Sequence, residues 1–168
     1  MICLDCGHDN FAGADTCENC GMALDASMSD LEQSIMSHPV SIMPSKAPIM
    51  VPATGSVRSA IARMNAERIG CVLVEQNGNI VGIFTERDVL NRITGNLSQL
   101  DGPVSAVMTP SPEVIHEQDS VAYALHAMSV SGYRHLPVVN DAGNAVGIIS
   151  ARDILRLLAV RFADMPTS

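Results

Sequence analysis

The stretch Gly82-Ile83-Phe84-Thr85-Glu86-Arg87-Asp88 returns as Gly147-Ile148-Ile149-Ser150-Ala151-Arg152-Asp153, inside a second copy of its surroundings. This repetition restricts the chain to architectures built from two like units. Apolar residues alternating around Gly82 suit a strand, and Thr85 followed three residues on by Asp88 suits a capping box that opens a helix. The copies also share Val74/Val139, Gly78/Gly143, Asn79/Asn144, Val81/Val146 and Leu90/Leu155. A helix cap alone does not require all of these.

A strand-to-helix junction of this kind can hold an anion. Amides without intrahelical partners converge there, the macrodipole favours negative charge, and the Thr85 or Ser150 hydroxyl adds a donor. Asp88 and Asp153, one turn in, suit a sugar diol. The plainer reading is that Thr/Ser-x-x-Asp at a helix start is only a cap.

At 168 residues and 47% hydrophobic content, the chain can bury one compact core and carry a small appendage. Its formal net charge of −8 opposes a phosphate-backbone binder, whose affinity comes from Lys and Arg, so nucleic acid is not an expected partner. No apolar run approaches the ~18 residues of a membrane span, and Met1-Ile2-Cys3-Leu4-Asp5 lacks a basic leader. The expectation is a soluble, cytoplasmic protein with no membrane partner.

Cys3, Cys6, Cys17 and Cys20 form two C-x2-C pairs, each followed by glycine, Gly7 and Gly21. Two such pairs let four thiolates converge on zinc, while the glycines permit tight turns whose amides reach the sulfurs. Four sulfur ligands close the site to Lewis-acid chemistry. Iron in an electron-transfer site is the alternative, although Phe11 is the only aromatic residue nearby. About twenty residues with few apolar groups should fold only with metal, while the remainder keeps its fold. Cys71 lies in an apolar run and reads as a small core residue.

Ser29-Asp30-Leu31-Glu32 offers a helix start, after which Pro39, Pro44, Pro48 and Pro52 force extended passage. The first copy then reads as a helix from Ser56 to Arg68, a strand Cys71–Val74, a turn at Asn77-Gly78, a strand Asn79–Phe84 and the helix capped by Thr85. Past a polar linker from Gly95 to Pro103, the second copy repeats this order. Its elements are a helix Ser120–Val130, a strand Leu136–Val139, a turn Asp141–Asn144, a strand Ala145–Ile149 and a last helix from Ser150. Pro137 has no amide donor and implies an unpaired side on its strand.

The repeated V-x-x-x-G-N-x-V-G-I-x-[TS]-x-R-D, with Val107-Met108-Thr109-Pro110 and Arg134-His135-Leu136-Pro137-Val138-Val139, resembles a pair of cystathionine β-synthase (CBS) domains over roughly residues 40–162. The first two dozen residues resemble the short zinc ribbons found at the ends of many prokaryotic proteins. The resemblance implies an α+β chain: a zinc ribbon over 1–24, a linker over 25–39, a first βαββα repeat over 40–98 and a second over 99–165. The two repeats would be related by pseudo-twofold symmetry and would commonly dimerise further.

By the same resemblance the clefts take adenosine-containing ligands: AMP, ADP, ATP or S-adenosylmethionine. Asp88 and Asp153 would accept from the ribose, Thr85 and Ser150 would face phosphate, and Gly82 and Gly147 would permit close approach. Arg134 and His135 would be basic phosphate ligands of the second cleft, where the first has Ile69 and Gly70. The implied function is a non-enzymatic, nucleotide-sensing regulatory module acting on a protein partner or its own oligomer through the ribbon. The alternative is a constitutive dimerisation protein with no ligand, whose ribbon binds protein or nucleic acid.

Overall fold

A computed structural model of the chain describes residues 2–3, 5–24, 35–43 and 47–163. The helix start expected at Ser29–Glu32 lies outside the described residues; residues 35–37 are helical. The chain divides into two compact units, one of Ser45–Glu117 with His135–Ile149, the other of Met1–Pro44, Gln118–Arg134 and Ser150–Ser168.

In the first of these, β1 (Met50–Pro52) runs parallel to β2 (Cys71–Gln76), which pairs antiparallel with β3 (Asn79–Thr85), and β3 in turn with β4 (Thr109–Pro110). Helix α1 (Val57–Glu67) joins β1 to β2. It starts where the Ser56 hydroxyl accepts from the Ser59 amide, and it ends where Arg68 turns left-handed at φ 54°. Val57, Ala60 and Met64 recur at helical spacing and bury one face. Alternation along β2 sends Val72 and Val74 into the core under α1, with Phe84, Ile93 and Val104. Cys71 and Leu73 point to the other face, where with Ile83 they meet Ala145 and Ile148 of β7 (Ala145–Ser150). Cys71 is therefore a core residue. The β2–β3 turn has positive φ at both Asn77 (52°) and Gly78 (81°), the pair a tight hairpin demands.

After Thr85 comes a single α-turn, α2 (Glu86–Asp88), that widens at once into a π-helical segment, Val89–Ile93. A 3-10 helix, Leu97–Asp101, occupies the expected linker.

The second sheet has the order β5 (Ile115–His116), β6 (His135–Val139), β7. β6 is the middle strand, and Pro137 lies one residue before its pairing with β5 begins, at Ile115 with Val138. The register also corrects the sequence alignment. Val51 pairs with Val74, and its counterpart Ile115 pairs with Val138, so Val74 corresponds to Val138 rather than Val139. The extra residue of the second copy sits in the Asp141–Gly143 turn, where the Asn140 side chain accepts from the amides of Ala142 and Asn144. Arg134 thus corresponds to Gly70 and His135 to Cys71.

The other unit contains the cysteine segment, α3 (Val121–Ser131) and α4 (Ala151–Ala163). The segments that lead into the repeats are exchanged between them. Gly102 and Val104, which precede the second copy, bond the Val57 amide and the Gly55 carbonyl of the first at 3.0 and 2.8 Å. His38 and Val40, which precede the first copy, bond the Val121 amide and the Asp119 carbonyl of the second at 2.9 and 2.8 Å. Neither the repeat period nor the boundaries 40–98 and 99–165 coincide with the compact units.

Candidate functional site

The four N-terminal cysteine sulfurs lie within 4.8 Å of one another, with Cys3 to Cys20 and Cys6 to Cys17 each at 3.6 Å. A tetrahedron of 2.3 Å zinc–sulfur bonds has edges of about 3.8 Å, so this donor set fits that ion. Two matching knuckles build it. Gly7 N–H donates to the Cys3 carbonyl and Gly21 N–H to the Cys17 carbonyl, at 2.9 and 2.8 Å, with φ of 75° and 77°. All five cysteines of the chain are free thiols.

Burial pushes the Cys3 and Cys20 thiols up. Burial also acts against the Cys17 thiolate, but the amides of Cys20 and Asn19 and the Asn10 side chain outweigh it and bring the thiol to about 6. The Asn19 side chain, followed by the His8 amide, lowers Cys6. Asn10 was not singled out by sequence reasoning. It is buried, donates to the His8 carbonyl and the Cys17 sulfur, and accepts from the Glu18 amide, which fastens one knuckle to the other. Asp5, inside the first knuckle and also buried, lies 3.5 Å from His38 Nε2.

In the second repeat, Asp153 Oδ2 accepts from the Ser150 amide at 2.8 Å and from its hydroxyl at 2.5 Å. The other oxygen, Oδ1, accepts no hydrogen bond among the described residues. The Arg134 carbonyl accepts from the Ala151 amide at 3.2 Å, which brings Arg134 to the start of α4. Its exposed guanidinium has no ion-pair partner among the described residues. Gly147 is buried in β7. His135 is placed elsewhere: a Cβ on Gly70 would stand 3.2 Å from its Nε2 and 3.5 Å from Glu86 Oε2, so the ring flanks the first repeat's own strand start.

In the first repeat, Thr85 and Asp88 form a complete capping box, with the Thr85 amide and hydroxyl 2.9 and 2.7 Å from Asp88 Oδ2. Both hydroxyls, Thr85 and Ser150, thus donate to their own aspartate. Here Asp88 Oδ1 is also engaged, by the Thr109 hydroxyl at 3.3 Å and by Arg92 Nε at 3.6 Å. The sequence marks Thr109 only as part of a motif, and Arg92 only by its place one helical turn beyond Asp88. Gly82 is approached by Met108, whose sulfur a Cβ would overlap. Gly82→Ala should therefore push the Met108 side chain aside and destabilise the fold by roughly 1–3 kcal/mol, read from urea unfolding. An unchanged midpoint would mean that Met108 swings aside freely.

A profile of the CBS domain matches residues 33–95 and 104–160. The chain belongs to the CBS-domain family. The match to the two CBS repeats begins beyond the cysteine cluster. An uncharacterized 17.7 kDa protein of Acidianus ambivalens is 33% identical over 104 residues, which cover 61% of this chain and 62% of that one. Arabinose 5-phosphate isomerase KdsD of Francisella tularensis is 30% identical over 110 residues, which cover 66% of this chain and 33% of that enzyme. The chain thus spans less than two thirds of the length of these curated relatives. Two CBS structures, each 28% identical to this chain and covering 73% of it, match with TM-scores of 0.65 and 0.64. One, from Pyrobaculum aerophilum, is complexed with AMP and is covered over 98% of its length. The other is the CBS domain pair of protein MJ0100 with 5-methylthioadenosine and S-adenosyl-L-methionine, covered over 97%. Among the described residues no helix is long and apolar enough to cross a membrane.

Proposed function

We propose that the chain is a regulatory, non-catalytic module that binds an adenosine nucleotide or S-adenosylmethionine in its CBS pair and carries a structural zinc ion on Cys3, Cys6, Cys17 and Cys20. The observation that carries the ligand reading is the second repeat's junction. An aspartate oxygen without a donor and an exposed Arg134 without an ion-pair partner, both among the described residues, stand at the start of the thirteen-residue α4, where amides and macrodipole favour an anion. A ribose hydroxyl would supply the missing donor to Asp153, and phosphate would neutralise Arg134. Relatives bound to AMP, 5-methylthioadenosine and S-adenosyl-L-methionine support the ligand class.

Regulation requires that the ligand prefer one of two conformations. The four-sulfur site has no open position, so the ribbon acts as a rigid piece that docks to a partner protein. Leu90 and Leu155, which occupy matching places in the repeats, are 69% and 66% exposed; this supports a homodimer that covers them.

Thermal unfolding with AMP and with S-adenosylmethionine tests the reading. A ligand that binds only the folded chain stabilises it by about 2.7 kcal/mol at a concentration of 100 Kd, so the midpoint should climb with concentration. A midpoint indifferent to both ligands favours constitutive dimerisation instead.

A further inference from the structure

We propose that Asp88, Arg92 and Thr109 form an internal clasp that closes the first cleft to ribose, so that the chain takes one adenosine ligand, in its second repeat. The single-ligand part rests on the function proposed above; the clasp does not. An ionised carboxylate offers about four acceptor positions. Around Asp88 three are met by hydrogen bonds, from the Thr85 amide and hydroxyl on Oδ2 and the Thr109 hydroxyl on Oδ1, and Arg92 Nε stands beside Oδ1 as an ion pair at 3.6 Å. The side chain is 8% exposed. A diol entering here would have to displace the Thr109 hydroxyl or separate Arg92 from the carboxylate, so little is gained by the exchange.

The same arginine holds the segment that carries the competing hydroxyl. Arg92 Nη1 donates to the carbonyls of Val107 at 2.8 Å and of Met108. Thr109 follows directly, paired with Ile83, and Met108 fills the space over Gly82. Arg92 stands in the π-helical segment Val89–Ile93, closed by the Thr94 amide on the Val89 carbonyl, so the widened turn carries the residue that clasps. Among the described residues the second repeat has none of this. Its α4 is regular, the residue four beyond Asp153 is Leu157, and Asp153 Oδ1 is without a donor among the described residues.

Titration calorimetry with AMP, together with hydrogen exchange on the full chain, decides the matter. The expected stoichiometry is one AMP per chain, with Asp88→Asn and Thr109→Val changing the affinity less than about twofold. The same variants should speed exchange across Val107–Thr109 by about tenfold, the equivalent of one charge-assisted hydrogen bond. Arg92→Leu should do likewise, and its effect should not add to that of Asp88→Asn, since both open one network. Two AMP per chain, or a tenfold loss of affinity from Asp88→Asn, would overturn the closed cleft. If AMP does not bind at all, the nucleotide reading fails, and the exchange data still judge the clasp: unchanged exchange, or additive effects of Arg92→Leu and Asp88→Asn, would reject it. Thr109→Val, nearly isosteric, keeps the test available should Asp88→Asn fail to fold.

Discussion

Removing the metal from the cysteine cluster is expected to unfold residues 5–24 while most of the helical signal survives. Among its described residues the ribbon has almost no core: Cys3, Ala14 and Cys17 are the buried apolar residues, and Asp5 and Asn10 the buried polar ones. Without an ion, Asn10 and the two knuckles would hold four thiols of opposed tendency, Cys17 and Cys6 pushed down, Cys3 and Cys20 pushed up. Structural zinc contributes about 10–16 kcal/mol in small peptides near neutral pH, far beyond what these contacts replace.

The structure adds a route outward. Asp5 meets His38, whose carbonyl holds the first amide of α3, so the loss should reach residues 35–43 and the start of that helix. Chelation followed by circular dichroism and hydrogen exchange reads both effects, and metal analysis with a visible spectrum separates colourless zinc from red ferric iron. Cooperative loss of all helical signal would show that the ribbon is integral to the core. Because the ligands bind as thiolates, acidification should release the ion.

Asp153→Ala is expected to cost the chain its tight adenosine-ligand binding. A hydrogen bond to a charged group contributes roughly 1.5–3 kcal/mol, and a ribose diol would direct its donors to this carboxylate. Losing them weakens binding by at least about tenfold. The same side chain accepts from the Ser150 amide and hydroxyl at the start of α4, so the variant also loses a cap worth about 0.5–2 kcal/mol. Circular dichroism and the unfolding midpoint must therefore accompany the titration. Unaltered affinity in a folded Asp153→Ala protein would remove the second cleft from consideration and shift the search to other residues.

What could be read from the sequence was local. Thr85-x-x-Asp88 and Ser150-x-x-Asp153 announce their caps because donor and acceptor lie within one turn, Asn77-Gly78 announces its hairpin through positive φ, and the cysteine spacing announces its knuckles. What could not be read depends on segments far apart in the chain. Pro39-Val40-Ser41 and Pro103-Val104-Ser105 are identical, so nothing in their residues says which helix start each will join. Arg92 lies visibly one turn after Asp88, but its targets, the carbonyls of Val107 and Met108, come from a strand whose pairing with β3 has no local signature. The register of β6 was misjudged by one residue because Gly78 and Gly143 match in sequence while the turns holding them differ in length.

The exchange of leading segments means that neither half of the chain is complete by itself. Val104 and Val107 fill the core beneath α1, yet they follow the first copy's last helical turn and belong, by sequence, to the second. Val40, almost wholly buried, stands in the same relation to α3. Each half lends an arm and receives one. Joined in one polypeptide, the arms meet their sockets at an effective concentration in the millimolar range rather than by chance encounter. The tether between the copies is in this sense part of the fold's stability, and shortening it would strain the Gly102–Val104 arm against the first copy.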